Sequence, residues 1–207
     1  RVYNSPSSLR TYNEKLAILR FPEETRPALV SSDAAELLRF TKDVAKGDAI
    51  LKPLTLFGGR GVERLELSNH GEAAILAKLK SETEDGRHAR LIQPFDQAVF
   101  QGEVRAFAAF GEPIAWCLKR PAPGNYLANT RAGAELSPYK PSSEESARVA
   151  RVAKRLLADG VAFIGFDLIG GWISEINLTS PRLLAGPGDS TPYYKILAQA
   201  VIRDLGL

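Results

Sequence analysis

The sequence predicts an α+β fold in two lobes, and three observations carry that prediction. Runs with strand-like alternation recur along the chain between runs of helical periodicity that open on Ser or Asp caps. Residues 162–181, AFIGFDLIGGWISEINLTSP, read as two short strands joined at Gly170 and Gly171. The chain of 207 residues, 44% of them hydrophobic, is long enough for one large domain or two small ones, each with its own core. The expected division is a small lobe over residues 1–90 and a large lobe over 91–207.

Taken in order, residues 1–4 are extended, and Ser7 or Ser8 caps a helix running through Leu9, Leu16 and Leu19 to about Phe21, closed by Pro22 and Pro27. A short strand at 28–31 leads to Asp33, which with Glu36 makes a capping-box-like start for a helix carrying Leu37, Leu38, Phe40 and Val44. Gly47 ends it. A buried strand at 49–52, a loop at 53–61, an alternating strand at 62–67, a helix over 72–81 and a polar turn with Asp85, Gly86 and Arg87 complete the small lobe. The large lobe starts with a strand at 91–95 and a hairpin of 103–110 with 113–120 around Gly111 and Glu112. Residues 121–141 hold four prolines and two glycines with little periodicity, and read as a long loop. A helix opened by Ser142 or Ser143 and ended by Gly160 precedes the 162–181 hairpin. The last helix is capped by Ser190 or Thr191 and runs to about Leu205. There is no internal repeat.

The hairpin carries chemistry. Ala162, Ile164, Phe166 and Leu168 fall on one face, Phe163, Gly165 and Asp167 on the other; in the second strand Ile176 and Leu178 alternate with Glu175 and Asn177. A two-residue Gly-Gly turn would set Ile176 opposite Gly165 and mix the faces. A three-residue connection with a glycine at positive φ sets Ile176 opposite Phe166, Asp167 opposite Glu175 and Asn177 beside Gly165. Adjacent carboxylates repel unless a cation or a raised pKa relieves them. The donors are hard oxygens and suit Mg²⁺, with Mn²⁺ as an alternative occupant. A solvated hairpin edge with scattered acids is the competing reading of the same residues.

Other segments allow phosphate contacts. Gly58, Gly59 and Gly61 lie in a loop between two strands with Lys52 at the end of the first, a pattern that suits a phosphate cradle or, equally, a hairpin tip beside a solvated lysine. It is not a Walker loop, because GxxxxGK[ST] is absent and a strand follows. Glu103 and Arg105 share a strand face, and Lys119 and Arg120 end the partner strand. They form either a surface ion pair contributing ~0–1 kcal/mol or a charge set facing phosphate and a developing oxyanion.

Composition narrows the classes. Formal net charge is +3, from 27 Lys plus Arg against 24 Asp plus Glu, spread along the chain, which suits an anionic small ligand and not the basic stripe of a nucleic-acid binder. No run of about 18 apolar residues could span a membrane, and no signal peptide opens the chain. The lone Cys117 rules out an internal disulfide and a thiolate zinc site and fits a reducing cytoplasm. His70 and His88, the only histidines, sit in polar stretches, so histidine-based nucleophilic catalysis is disfavoured. The sequence has no methionine, even at position 1, which predicts a chain that begins inside a longer protein or has been processed.

Together, NSPSSLRTYNEKL, ILKPLTLFGGRGV, QPF, GEVR, PAPGN and FDLIGGWISEINLTSP occur in the order and approximate spacing of the ATP-grasp domain of bacterial glutathione synthetases, which the chain resembles over nearly its whole length. The resemblance implies an ATP-grasp fold with ATP between two α+β lobes, and amide-bond formation through an acyl-phosphate. It matches Lys15 and Lys52 to lysines reaching the phosphates, Gly58, Gly59 and Gly61 to a loop that closes over them, and Gln93, Pro94 and Phe95 to the linker bordering adenine. Glu103 matches an acid near the ribose, Arg105 an arginine near the reacting carboxylate, and Asp167, Glu175 and Asn177 the magnesium ligands. Lys119 or Arg120 stands in for an arginine expected before PAPG. The substrate loop departs from the family: Leu127 stands where an arginine is expected, and only Asn129 and Gly133 clearly persist. The candidate substrate contacts are Asn129, Arg131 and Ser180. After TSP, Arg182 is followed by Leu183, Leu184, Ala185 and Gly186 in place of the usual arginine-containing segment. The family's N-terminal substrate domain is expected to be lacking from this chain.

The expected function is that of a cytoplasmic, ATP- and Mg²⁺-dependent carboxylate–amine ligase joining γ-glutamylcysteine and glycine, with small molecules as partners and a homo-oligomer compatible. A ligase for another peptide or amino acid, and a nucleotide-binding module without catalysis, are the alternatives.

Overall fold

The computed structural model describes every residue except 1, 131, 132, 184, 185, 187 and 189. The chain forms two compact units, Thr25–Asp96 and a second built from Arg1–Glu24 together with Gln97–Leu207.

The leading segment holds helix α1 (Pro6–Thr11) and a 3₁₀ turn, Ala17–Arg20, where a single helix is expected. Asn13 explains the break: its side-chain oxygen accepts from the Lys15 amide at 3.0 Å, the local bond by which Asn competes with helix. The cap is Ser5, two or three residues earlier than expected, accepting from the Ser8 amide.

In the unit Thr25–Asp96, the elements are β1 (Leu29–Ser31), α2 (Ala34–Asp43), β2 (Asp48–Pro53), β3 (Glu63–Glu66), a short helix α3 (Leu67–His70), α4 (Glu72–Glu82) and β4 (Arg90–Pro94). Its antiparallel sheet runs β1-β4-β2-β3. Leu37, Leu38 and Phe40 of α2 and Ile75 and Leu79 of α4 pack against Ala49, Leu51, Leu65 and Ile92 of the sheet. Asp33 caps α2 by accepting from the amides of Ala35 and Glu36. The expected box is indirect: Glu36 accepts from the Ser31 hydroxyl, which itself accepts from the Asp33 amide.

The larger unit continues with β5 (Glu103–Ala109), β6 (Glu112–Arg120), β7 (Glu135–Pro138), α5 (Ser143–Ala158), β8 (Phe163–Ile169), β9 (Trp172–Asn177) and α6 (Thr191–Leu205). Its antiparallel sheet runs β7-β6-β5-β8-β9. Strand β7 lies inside the expected loop 121–141; it is four residues long and ends in Pro138, so it pairs along β6 without a periodic signal of its own. Helix α5 opens with a full capping box between Ser142 and Glu145. Val104, Ala106, Ala108, Ile164, Phe166 and Leu168 are buried, and α5 packs along β5 and β6 with Val149, Val152, Ala153 and Leu156 buried. Toward the β5–β6 turn, Phe107, Ala109 and Ala115 gather Phe163 and, from α6, Tyr193 and Leu197.

The division between units therefore differs from the expected one at residue 90. Strand β4 is an inner strand of the smaller sheet, so that unit cannot end before it. Residues 1–24 belong with the larger unit because Asn4, Glu14 and Lys15 bond to β8 and to the end of β9. Among the described residues no helix is long and apolar enough to cross a membrane.

Candidate active site

The polar face of the larger sheet is set by the register of β8 and β9. Asp167 lies opposite Glu175, Phe166 opposite Ile176 and Gly165 opposite Asn177, as expected from the alternation. The device that achieves this is not the expected three-residue connection. Gly170 and Gly171 make a two-residue turn, at φ 56° and 79°, and the register shifts between Asp167 and Leu168, where Leu168 already faces Ile173. Ser174 is the extra residue of a β-bulge, and its hydroxyl donates to the Asp167 carbonyl at 3.0 Å. The bulge restores the faces that the short turn alone would have mixed.

Strand β5 lies next to β8 and sets Arg105 opposite Asp167; strand β6 sets Lys119 opposite Glu103. Buried Arg105 donates from Nη1 to Asp167 Oδ2 at 2.8 Å, and Lys119 Nζ donates to Asp167 Oδ1 at 2.6 Å and to Glu103. Asn177 donates from Nδ2 to Asp167 Oδ2 at 2.9 Å. Lys15 Nζ reaches Glu175 Oε2 at 2.5 Å. The repulsion expected between the facing carboxylates is thus relieved by Arg105, Lys119 and Lys15. Gly165 makes room for this: a Cβ there would lie 2.6 Å from Arg105 Nη2 and 2.7 Å from its Cζ.

The charges follow from burial and pairing. Burial alone would raise the Asp167 pKa, but the charges of Arg105 and Lys119 outweigh it and hold the carboxyl well below the usual range. Burial likewise disfavours the Lys119 cation, and Asp167 and Glu103 more than compensate, so the ammonium is held above its ordinary range. For Glu103 burial wins: its pKa is pushed up to about 7, with Lys119 opposing and Asp167 reinforcing the rise.

Arg120 departs from the expectation. It follows Lys119 in an extended strand, so it turns to the other face, and it is exposed; only Lys119 reaches the carboxylates. Asn129 is half-buried in the loop before β7, and Ser180 is exposed just beyond β9. Arg131 lies outside the described residues.

In the unit Thr25–Asp96, Lys52 Nζ donates to the Oε1 of buried Gln93 at 2.8 Å, bringing two expected nucleotide contacts together. Pro94 ends β4, and the Phe95 ring is covered by the Arg64 guanidinium at 3.9 Å, itself held by both oxygens of Asp48. Gly58, Gly59 and Gly61 all have positive φ, between 67° and 76°, so that loop depends on residues without a Cβ.

Asn4 and Glu14 escape a reading of the sequence. Asn4 donates from Nδ2 to the carbonyls of Phe163 and Leu178 and accepts at Oδ1 from the amides of Ala162 and Phe163, all at 2.7–2.9 Å. Glu14 Oε1 accepts from the amides of Leu178 and Thr179 at 2.9 and 2.7 Å. The one local hint was the Asn and Glu within the NSPSSLRTYNEKL segment.

Two carboxylates and an amide on one sheet face are a fitting donor set for a small hard divalent cation. Among the described residues no three His, Cys, Asp or Glu side chains group to cage a metal. An ion held here would complete its shell from water and substrate oxygens, the usual habit of Mg²⁺.

Residues 14–185 match the family described as prokaryotic glutathione synthetase, ATP-grasp domain. The glutathione synthetase of Parasynechococcus marenigrum is 38% identical over 181 residues, covering 87% of this chain and 57% of that protein. That of Bordetella pertussis is 39% identical over 183 residues, covering 87% and 56%. The chain thus spans little more than half the length of these relatives. Among solved structures, the ATP-grasp ligase PsnB complexed with minimal precursor, Mg and ADP superposes with a TM-score of 0.66 at 20% identity, over 96% of this chain and 62% of that one. The D-alanine–D-alanine ligase of Bacillus anthracis gives 0.62 at 16% identity, over 94% and 67%. The fold is therefore the ATP-grasp fold, and the chain belongs to the family of prokaryotic glutathione synthetase ATP-grasp domains.

Proposed function

We propose that this chain is the ATP-using part of a carboxylate–amine ligase of glutathione synthetase type, which activates a peptide carboxylate as an acyl-phosphate and passes it to an amine. The observation that carries the reading is the facing pair Asp167 and Glu175, with Asn177, beneath Lys15, Arg105 and Lys119. Asp167, Glu175 and the Asn177 amide oxygen would hold Mg²⁺, the Asn177 amide turning over from its present bond to Asp167. The ion, when bound, supplies charge neutralisation for the triphosphate.

The protein's own groups account for the rest. Lys15 and Lys119 now neutralise the two carboxylates. With Mg²⁺ held by Asp167 and Glu175, Lys15 and Lys119 would be free to turn toward phosphate oxygens, so one set of charges would serve both conditions. Arg105, fixed against Asp167, presents a guanidinium to the negative charge that develops on the acyl-phosphate and on the tetrahedral species formed by amine attack. Phosphoryl transfer requires mainly such positioning and neutralisation, so no side-chain nucleophile is needed. In the smaller unit, Lys52, Gln93 and the Gly58–Gly59–Gly61 backbone are the groups suited to nucleotide contact, with the Phe95 ring as an apolar surface beside them.

The test is incubation of the protein with Mg-ATP, γ-glutamylcysteine and glycine. The reading predicts ADP and glutathione in equal amounts. Leu127, standing where the family has an arginine, favours a second reading, a different acceptor; ADP formed only with other carboxylates or amines would establish it. Tight ATP binding without turnover on any acceptor would overturn both.

A further inference from the structure

Among the described residues, strand β9 is an edge strand whose ladder ends at Asn177, and the backbone just beyond it has no strand partner. Its next residue, Leu178, is nevertheless held at both backbone groups by side chains from far away in sequence. Its carbonyl accepts from Asn4 Nδ2 at 2.8 Å, and its amide donates to Glu14 Oε1 at 2.9 Å. The same Glu14 oxygen takes the Thr179 amide at 2.7 Å, so one carboxylate gathers two successive N–H groups. Lys15, the next residue, binds Glu175 at 2.5 Å. The Asn13 turn that breaks the leading helix, with the amides of Leu16 and Ala17 both bonded to the Asn13 carbonyl, is what allows neighbouring residues to grip β9 at two places.

We propose that Glu14 is a positioning residue for the metal–phosphate end of this site. Among the described residues its hydrogen bonds go to the amides of Leu178 and Thr179 and to none of the candidate metal ligands. Instead it fixes the backbone between Asn177, a candidate ligand, and Ser180, a candidate substrate contact. Charge-assisted bonds to backbone amides are the strong kind, and supports of this sort around metal ligands commonly matter as much as the ligands' own geometry. Glu14 thereby couples the leading segment to the angle at which Asn177 leaves the sheet. The functional part of this inference rests on the reading given above.

The experiment compares Glu14→Ala, Glu14→Gln and the wild-type chain in two measurements. Amide hydrogen exchange is expected to rise about 10-fold or more at Leu178 and Thr179 in Glu14→Ala, with β5 and β8 unchanged. Calorimetry with ATP, with and without Mg²⁺, is expected to show Mg-ATP affinity falling about 10-fold in Glu14→Ala while metal-free ATP stays within about twofold. Glu14→Gln, which keeps an acceptor oxygen but not the charge, should recover part of both effects. Unchanged exchange at 178–179 overturns the proposal. So does an equal loss of affinity with and without metal, which would mark a general loosening. A wild-type chain that binds no ATP would instead overturn the functional reading, and the exchange measurement still decides whether Glu14 holds the segment.

Discussion

Under the proposed function, Gly165→Ala is expected to reduce turnover by about 100-fold or more while leaving the chain folded. The new methyl would sit 2.6 Å from Arg105 Nη2 and 3.2 Å from its Nε. An arginine tip can swing away, so the steric clash itself is cheap. Swinging away, however, separates the guanidinium from Asp167 Oδ2, now 2.8 Å distant, in a site where both side chains are buried. Breaking a buried pair while leaving one charge behind costs about 3–5 kcal/mol, though Lys119 stays on the other Asp167 oxygen and softens the loss. Turnover and thermal unfolding of the variant check this together. Wild-type turnover in Gly165→Ala would show that the position of Arg105 is not used.

Asn4→Ala is expected to give the largest loss of stability from a single residue outside the core, about 3–5 kcal/mol, from four hydrogen bonds whose backbone partners are left unmet. At roughly 2–4 °C per kcal/mol for a chain of this size, the thermal midpoint should fall by about 6–20 °C. Part of that comes from the backbone: Asn4 has φ 53°, a left-handed conformation that Asn tolerates and Ala does not. Asn4→Gly separates the two contributions, since it keeps the conformation and loses only the bonds. Differential scanning calorimetry of both variants should place Asn4→Gly about 1 kcal/mol above Asn4→Ala. If both unfold with the wild type, the side chain does not anchor β8 and β9.

These two residues also show what the sequence could and could not reveal. The alternation in β8 and β9 points to Asp167 facing Glu175, because a slip of one residue would set the apolar residues of one strand opposite the polar residues of the other, and the register is as expected. The turn differs from the expected one: a bulge at Ser174 achieves by irregularity what a longer loop would do, and period-two alternation encodes only the final phase. The leading helix is shorter than its pattern suggests because Leu9, Leu16 and Leu19 keep helical spacing while Asn13 breaks the helix between them by a side-chain bond. Strand β7 is too short, and too close to proline, to show alternation. Residue type does not distinguish Lys119 from Arg120; strand phase assigns Lys119 to the carboxylates. Asn4, Glu14 and the seat that Gly165 gives Arg105 were invisible for a deeper reason. Their partners lie about 160 residues away, or on a neighbouring strand, and are backbone groups or empty volume, which leave no pattern of residue types.

The proposed divalent-cation site for ATP consists of Asp167, Glu175 and Asn177. It is tested most directly by anomalous diffraction from crystals grown with Mn²⁺ and a non-hydrolysable ATP analogue. A manganese peak within coordination distance of Asp167 and Glu175, with Lys15 or Lys119 turned from its carboxylate to a phosphate oxygen, is the predicted result. A peak on other residues, with Arg105, Lys119 and Lys15 still paired to those carboxylates beside a bound nucleotide, would contradict it.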